Sequence, residues 1–166
     1  MLRTSRFFPD ADDDPAIREA YADDNVKANE YTYRRVDLED IVAAHLLAME
    51  RAPALGFRRY VISATTPFTR DDVPRLRREA PTVLRERFPA YEREYDRRGW
   101  RMFATLDRVY DNELARRELG WSPCWSFGYI LERLAAAEDI RSALARSVGF
   151  KGYHAGRFGG EMYPTD

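Results

Sequence analysis

The segment from Asp111 to Pro123 carries the clearest local structural signals in this chain. Asp111 is a residue type that accepts hydrogen bonds from the free N–H groups at a helix start, and Gly120 has the conformational freedom that a helix end requires. Trp121 follows the glycine, where a large apolar side chain packs back onto the helix. We therefore predict a short helix that ends at Gly120, with Trp121 in the core and Pro123 in a turn.

Asp37 marks the start of a second, longer helix. Asp40 lies three residues later and gives the pattern of a capping box. Apolar residues and one histidine then recur at helical spacing and predict a single buried face; they are Leu38, Ile41, Val42, His45 and Met49. The helix is expected to end near 51–53. His45 is expected to be a core residue rather than a metal ligand.

Further helices and strands are predicted from the same kinds of signal. Helices are predicted from Pro15 to about Ala22, after Thr69–Asp72, over Tyr91–Arg97 on the surface, and over Phe127–Ala137. Strands or extended segments are predicted at Leu2–Phe8, Glu30–Val36, Arg59–Ala64 and Arg108–Tyr110, the third with Tyr60-Val61-Ile62 as its apolar part. The sequence thus predicts a mainly helical α+β domain over residues 1–148 and an irregular, glycine-rich tail over 149–166.

Composition excludes several classes of function. The 166 residues suffice for one compact domain, and the net charge of -1 argues against a nucleic-acid partner. No apolar run approaches the length that spans a membrane. The single cysteine, Cys124, excludes an internal disulfide and fits a cytoplasmic protein. Cys124 is expected to be a buried structural thiol.

No metal site is predicted from the sequence. Asp10, Asp12 and Asp14 have the spacing that opens a calcium-binding loop. However, Pro15 stands where that loop needs glycine, and Tyr21 stands where it needs a bidentate glutamate. Neither histidine of the chain has a neighbouring cysteine or second histidine, so zinc is unsupported as well.

Four segments also occur in the order and approximate spacing of a known family. They are the Arg-rich, aromatic segment Leu2–Phe8, the Arg-Val-Asp-Leu-Glu-Asp stretch within Arg34–Asp40, the strand Tyr60–Ser63, and Leu-Gly-Trp-Ser-Pro at Leu119–Pro123. Together they resemble the carboxy-terminal half of an extended short-chain dehydrogenase/reductase, the NAD(P)-dependent epimerase/dehydratase family. The resemblance covers most of the chain, from Leu2 to about His154.

The resemblance implies a mainly helical substrate-binding lobe with a few short strands, the remnant of a Rossmann-type α/β enzyme. The glycine-rich turn that binds the cofactor in that family is missing here. The family's Tyr-x-x-x-Lys catalytic pair is missing too. The residue four positions before Lys27 is Asp23, and the residue four positions before Lys151 is Ser147, so neither lysine has the required tyrosine. No catalytic residue is assigned. NAD or NADP is implied for a complete family member, and neither is expected to bind the isolated chain.

The resemblance also implies candidate site residues. The substrate-binding candidates are Arg6, Arg34, Arg35 and Trp100. The candidates near the cofactor are Arg3, Thr4, Ser5 and Phe7. An arginine at a strand end can hold a phosphate or carboxylate, or it can pair with a surface carboxylate. The stretch from Phe88 to Trp100 falls where the family varies its substrate pocket. This stretch is expected to form either a lid or an amphipathic surface helix.

Two classes of function remain open at this stage. The chain is expected to be the substrate-binding portion of an epimerase/dehydratase-like protein, acting on a nucleotide-sugar or other small substrate. The alternative is a non-catalytic interaction module, or a truncated fragment without independent activity. The apolar strand Tyr60–Ile62 is expected to leave unpaired edges. The expected partner is therefore a second copy or a separate Rossmann half, with no nucleic acid and no membrane.

Overall fold

The computed structural model describes residues 1–148 and shows an α+β fold in which helices predominate. The strands are β1 (Leu2–Thr4) and β2 (Tyr60–Ile62). The helices are α1 (Pro15–Ala20), α2 (Asp23–Glu30), α3 (Leu38–Leu55), α4 (Val73–Arg87, after a 3-10 turn at Arg70–Asp72), α5 (Tyr91–Asp96), α6 (Glu113–Leu119), α7 (Phe127–Ala135) and α8 (Ala143–Val148). The tail predicted over 149–166 lies outside the described residues.

The two strands form a parallel pair in which Leu2 lies beside Tyr60 and Thr4 beside Ile62. Side chains alternate between the two faces of a sheet. Tyr60 and Ile62 are buried in a core of this chain, whereas Arg3 is exposed and Val61 is half-buried on the opposite face. One face of the sheet is therefore covered and the other is largely open.

Apolar side chains form two separate cores. The larger one lies among α4, α5 and α7 and contains Leu84, Tyr95 and Ile130. The smaller one joins the sheet to α3 and α6 and is centred on Ile62 and Trp121. None of the helices within residues 1–148 is long and apolar enough to cross a membrane.

Helix α3 begins at the predicted residue, but most of the side that was predicted to be buried is exposed. Asp37 accepts a hydrogen bond from the Glu39 N–H at 2.8 Å, which confirms the cap. The helix continues through Pro53 and ends at Gly56, with a φ of 61°. Its buried residues are Asp40, Ile41 and Ala44. The predicted buried face is wrong for Val42, His45 and Met49, which are exposed.

Asp40 does not complete a capping box, which corrects the second part of that prediction. Its two carboxylate oxygens accept the backbone N–H groups of Cys124 and Trp125 at 2.8 and 2.9 Å. Burial raises the pKa of Asp40, although these two hydrogen bonds act in the opposite direction. Asp40 thereby ties the start of α3 to the loop after α6. Cys124 itself is exposed in that loop, so the predicted buried thiol is wrong.

Helix α2 was not predicted, and a turn over 31–34 follows it in place of most of the strand predicted at Glu30–Val36. Its sequence is strongly polar, yet every residue from Asn25 to Glu30 is buried. Asn25 and Asn29 both donate to the Arg101 carbonyl at 3.0 Å, and Asn29 also accepts from the Tyr95 hydroxyl at 3.0 Å. A polar helix is stable inside the protein only when its groups are paired in this way.

The remaining predictions are partly confirmed. Asp14 caps α1, Thr69 and Asp72 form a capping box, and Phe127, Ile130, Leu131 and Leu134 of α7 are buried. Gly120 ends α6 in a left-handed conformation. Helix α5 forms in the predicted place, with Tyr91 and Tyr95 buried and Arg93 and Asp96 exposed. The strand predicted at Arg108–Tyr110 does not form.

Candidate functional site

A cleft of about 650 Å³ opens beyond the carboxyl end of β2. This volume lies within the range of sites for small molecules. Ligands of open parallel sheets bind in the crevice beyond the carboxyl ends of the strands, which is where this cleft lies. Its walls are the loop after β2, the start of α4 and the start of α6. The lining residues are Thr65, Thr66, Phe68, Thr69, Arg70, Val73, Val109, Asp111, Asn112, Glu113 and Arg116.

Asn112 fixes the two walls of the cleft to each other. Its side chain is buried and donates to the Ser63 carbonyl at 2.8 Å and to the Thr65 hydroxyl at 3.0 Å. The Thr66 hydroxyl donates to the Thr32 carbonyl at 2.7 Å and accepts from the Phe68 N–H. The cleft is thus preformed by buried hydrogen bonds and does not require a ligand to order it.

Thr69 lies in the wall of the cleft that precedes α4, and a carboxylate outside the cleft holds it in place. Asp72 accepts hydrogen bonds from the Thr69 N–H at 2.8 Å and from the Arg87 guanidinium at 2.9 Å. Burial opposes ionisation of Asp72, but the hydrogen bonds from Arg87 and Thr69 outweigh it and lower the pKa of that carboxyl. Asp72 is therefore ionised at neutral pH.

Two arginines give the cleft its positive groups. The Arg70 side chain is 94% exposed and lies 4.0 Å from the Asp111 carboxylate. Arg116 is exposed, and no ion pair joins it to another residue within 1–148. The nearby Glu113 pairs instead with Arg117, at 3.7 Å. Arg116 is therefore available to an anionic ligand in the cleft.

The structure brings the three predicted arginines together around one buried carboxylate. Glu30 is 1% exposed and contacts Arg6 at 3.3 Å, Arg34 at 3.0 Å and Arg35 at 2.8 Å. Arg6 also pairs with Asp12 at 2.8 Å. Glu30 lies at the end of α2, whereas the sequence pattern predicts a strand that begins there, so its place at the centre of this cluster was not predicted.

Arg35 has little capacity left for a ligand. It is buried, and its second terminal nitrogen donates to the Phe8 carbonyl at 2.5 Å. Arg6 and Arg34 are partly exposed, at 25% and 31% of the side chain. Burial acts to lower the pKa of Arg6, but the charges of Glu30 and Asp12 outweigh it and raise that pKa. The cluster is a buried structural network with two arginines at its rim.

The other predicted site residues lie apart from the cleft lining. Trp100 packs edge-on against Tyr95, with ring centroids 5.7 Å apart, in the larger core. Phe7 packs on the smaller core and stacks on Phe8. Arg3 and Thr4 are exposed on β1. The hydroxyl of Ser5 is buried without a hydrogen-bond partner among the described residues.

Lys27 is the one lysine in the described part of the chain, and its ammonium group is buried against Asp23. Burial lowers its pKa, and the hydrogen bond and charge of Asp23 act in the opposite direction. Asp23 occupies the position that a catalytic tyrosine would need. The contact is thus an ion pair between a buried lysine and a partly exposed aspartate, and neither residue lines the cleft.

The chemistry of the described residues does not fit a dinucleotide cofactor. The pyrophosphate of such a cofactor binds to a glycine-rich turn between a strand and a helix. The segment after β1 contains Pro9 and several aspartates, and the segment after β2 is Ser63-Ala64-Thr65-Thr66-Pro67. Residues 1–148 also contain no group of three or more acidic, histidine or cysteine residues placed to hold a metal ion.

Residues of the cleft were not among the predicted site residues. A usable signal was present, because Thr65 and Thr66 follow directly on a buried strand that was predicted correctly. Arg116 had no such signal, since it is one of many arginines on helix surfaces.

Comparisons with protein-family models, with curated proteins and with solved structures found no match.

Proposed function

We propose that this chain is the substrate-binding portion of an NAD(P)-dependent epimerase/dehydratase-like protein, and that the cleft beyond β2 is its substrate site. The nucleotide-binding half is supplied separately in this proposal. The cofactor and the reacting groups belong to that half, so the residues of this chain bind and orient the substrate.

The observation that carries the proposal is the parallel pairing of β1 and β2 with a cleft at their carboxyl edge. Parallel sheets are normally covered on both faces by helices of a larger α/β structure. Here Arg3 is exposed and Val61 is only half-buried on the uncovered face. An additional α/β half would cover that face and extend the sheet.

The lining of the cleft supports an anionic substrate of moderate size. Arg70 and Arg116 line the cleft together with Asp111 and Glu113, and the two guanidinium groups are its contacts for a phosphate. The Thr65 hydroxyl and the apolar Val73 and Val109 offer contacts to a sugar or base. A nucleotide-sugar combines these features.

Paired arginine variants test this function. Calorimetric titration of the full chain with UDP-glucose is expected to show saturable binding. Arg116→Ala is expected to weaken that binding about tenfold, since it removes one charge-assisted contact. The matched control is Arg117→Ala, because Arg117 is the neighbouring exposed arginine but does not line the cleft.

Equal affinities in the wild type and the Arg116→Ala variant would contradict the proposal. The second candidate function, a non-catalytic interaction module, predicts a different result, in which neither protein binds UDP-glucose. It is favoured by the exposed apolar side chains of α3, notably Leu46 and Met49. A chain of that kind would bind no nucleotide-sugar.

A further inference from the structure

A smaller cavity lies between α1 and the start of α2, and it shares no lining residue with the cleft. Its volume is about 190 Å³. A water molecule occupies about 30 Å³ of the liquid, so the cavity has room for a ligand of roughly six to eight non-hydrogen atoms. We call it the α1–α2 pocket. Its lining residues are Ala11, Asp12, Arg18, Tyr21, Asp23 and Val26.

Arg18 gives the α1–α2 pocket a positive group that the backbone holds in place. Its Nη1 donates to the Asp12 carbonyl at 2.8 Å and to the Asp13 carbonyl at 3.3 Å. Within residues 1–148, Arg18 forms no ion pair with a carboxylate. A guanidinium has further donors on Nε and Nη2, and these two nitrogens can hold a carboxylate through parallel hydrogen bonds. Arg18 is therefore suited to bind a carboxylate ligand.

Asp23 gives the pocket its available negative group. One of its oxygens, Oδ2, accepts from the Lys27 ammonium group. The side chain is 46% exposed, so Oδ1 can accept from a donor in the pocket. Asp12 has less capacity, because its oxygens already accept from Arg6 at 2.8 Å and from the Asp14 N–H at 2.9 Å. A ligand ammonium therefore finds its acceptor in Asp23.

The remaining lining of the pocket is apolar or aromatic and is held rigidly. The Arg101 guanidinium lies 4.7 Å from the centroid of the Tyr21 ring, and the Phe103 ring packs edge-on against Tyr21 at 5.0 Å. Val26 is 3% exposed on α2, and Ala11 adds a methyl group from the loop before α1. These walls suit a small aliphatic group and leave no space for a large one.

We propose that the α1–α2 pocket binds a free α-amino acid with a small aliphatic side chain. The ligand carboxylate pairs with Arg18, its ammonium group pairs with Asp23, and its side chain packs on Tyr21 and Val26. Alanine and valine have six and eight non-hydrogen atoms, respectively, and carry both charges on neighbouring atoms. This site goes beyond the proposed substrate site and does not depend on it.

An NMR titration of the ¹⁵N-labelled full chain tests the ligand class. L-valine or L-alanine is expected to cause saturable shifts with a Kd on the order of 0.1–1 mM, as for a ligand of so few atoms. Isobutylamine and 3-methylbutanoate keep the aliphatic group of valine and carry one charge each. Each is expected to bind at least about tenfold more weakly than L-valine, because one of the two charged contacts is lost.

Two variants test the position of the ligand. Arg18→Gln is expected to weaken L-valine binding at least about tenfold. Ala11→Leu is expected to weaken it at least about fivefold, because the larger side chain fills part of the pocket. Ala11 is exposed in a loop, so this variant keeps the fold and decides the question if Arg18→Gln loses its dispersed spectrum. Glu19→Gln is the matched control, since Glu19 is exposed on α1 and does not line the pocket.

Three outcomes would overturn the proposal. One is the absence of saturable shifts with both amino acids up to about 10 mM, which would make the pocket a space for water only. Another is equal binding of L-valine and the two singly charged analogues, since this would show that the charges are not read together. The third is wild-type affinity for L-valine in the folded Arg18→Gln or Ala11→Leu variant.

Discussion

At the scale of single residues, Glu30 is a buried carboxylate that is surrounded by cationic side chains. Three guanidinium groups meet its carboxylate, and it is 1% exposed. Its two oxygens also hold together distant parts of the chain, because Arg6 follows β1 while Arg34 and Arg35 precede α3. The desolvation of this charge is offset only while the arginines remain in place.

Glu30→Gln is therefore expected to lower the free energy of unfolding by about 3–5 kcal/mol, since it leaves buried Arg35 without its anion. The measurement is urea unfolding at neutral pH. Glu132→Gln is the control, because Glu132 is exposed on α7 and its replacement is expected to change stability by less than about 0.5 kcal/mol. Equal effects of the two substitutions would show that the Glu30 cluster is not a stabilising network.

At the scale of elements, several hydrogen bonds connect the start of α3 to the chain beyond α6. Asp37 accepts from Ser142, Asp40 accepts from Cys124 and Trp125, and the Asp40 carbonyl accepts from the Trp121 indole at 3.0 Å. The Asp-Leu-Glu-Asp stretch thus holds the start of α3 against the segment that follows α6. These partners are more than 80 residues away in sequence, which no capping pattern can indicate.

Trp121 combines this hydrogen bond with nearly complete burial, at 2% exposure in the smaller core. Trp121→Ala is expected to cost about 3–5 kcal/mol of stability, as for other large buried aromatic residues. Thermal or denaturant unfolding measures this loss. Val42→Ala, on the exposed side of α3, is the comparison and is expected to change little. A loss below about 1 kcal/mol for Trp121→Ala would contradict its place in the core.

The helix ends whose hydrogen bonds are made by neighbouring residues were predicted correctly from the sequence. Asp14, Asp37 and Gly120 behave as expected because caps are satisfied by residues a few positions away. Helix α2 could not be predicted in the same way. Its polar residues are buried because Arg101 and Tyr95 pair with them from more than 60 residues away.

The predicted face of α3 failed for a related reason. His45 and Met49 share the helical period with Ile41, but the core contacts only the side that carries Ile41 and Ala44. Periodicity identifies an apolar side of a helix and does not say which segment covers it. Within residues 1–148, Val42, Leu46 and Met49 of α3 stay exposed.

At the scale of the whole molecule, the described residues divide between a helical core and a small sheet with one open face. The sequence predicted the α+β class and the two strands. It grouped Arg6, Arg34 and Arg35 as candidates, and they do meet, although around Glu30. The cleft was not predicted, since its walls come from three separated segments whose contact depends on Asn112.

Ligand selectivity of the isolated chain tests most directly whether it is a substrate-binding portion without a cofactor site. The measurement is calorimetric titration of the full chain with UDP-glucose, NAD and NADP under the same conditions. We predict saturable binding of UDP-glucose and no saturable heat for either cofactor at micromolar concentration, because no glycine-rich turn follows β1 or β2. Tight 1:1 binding of NAD or NADP, or the absence of any UDP-glucose binding, would contradict the account.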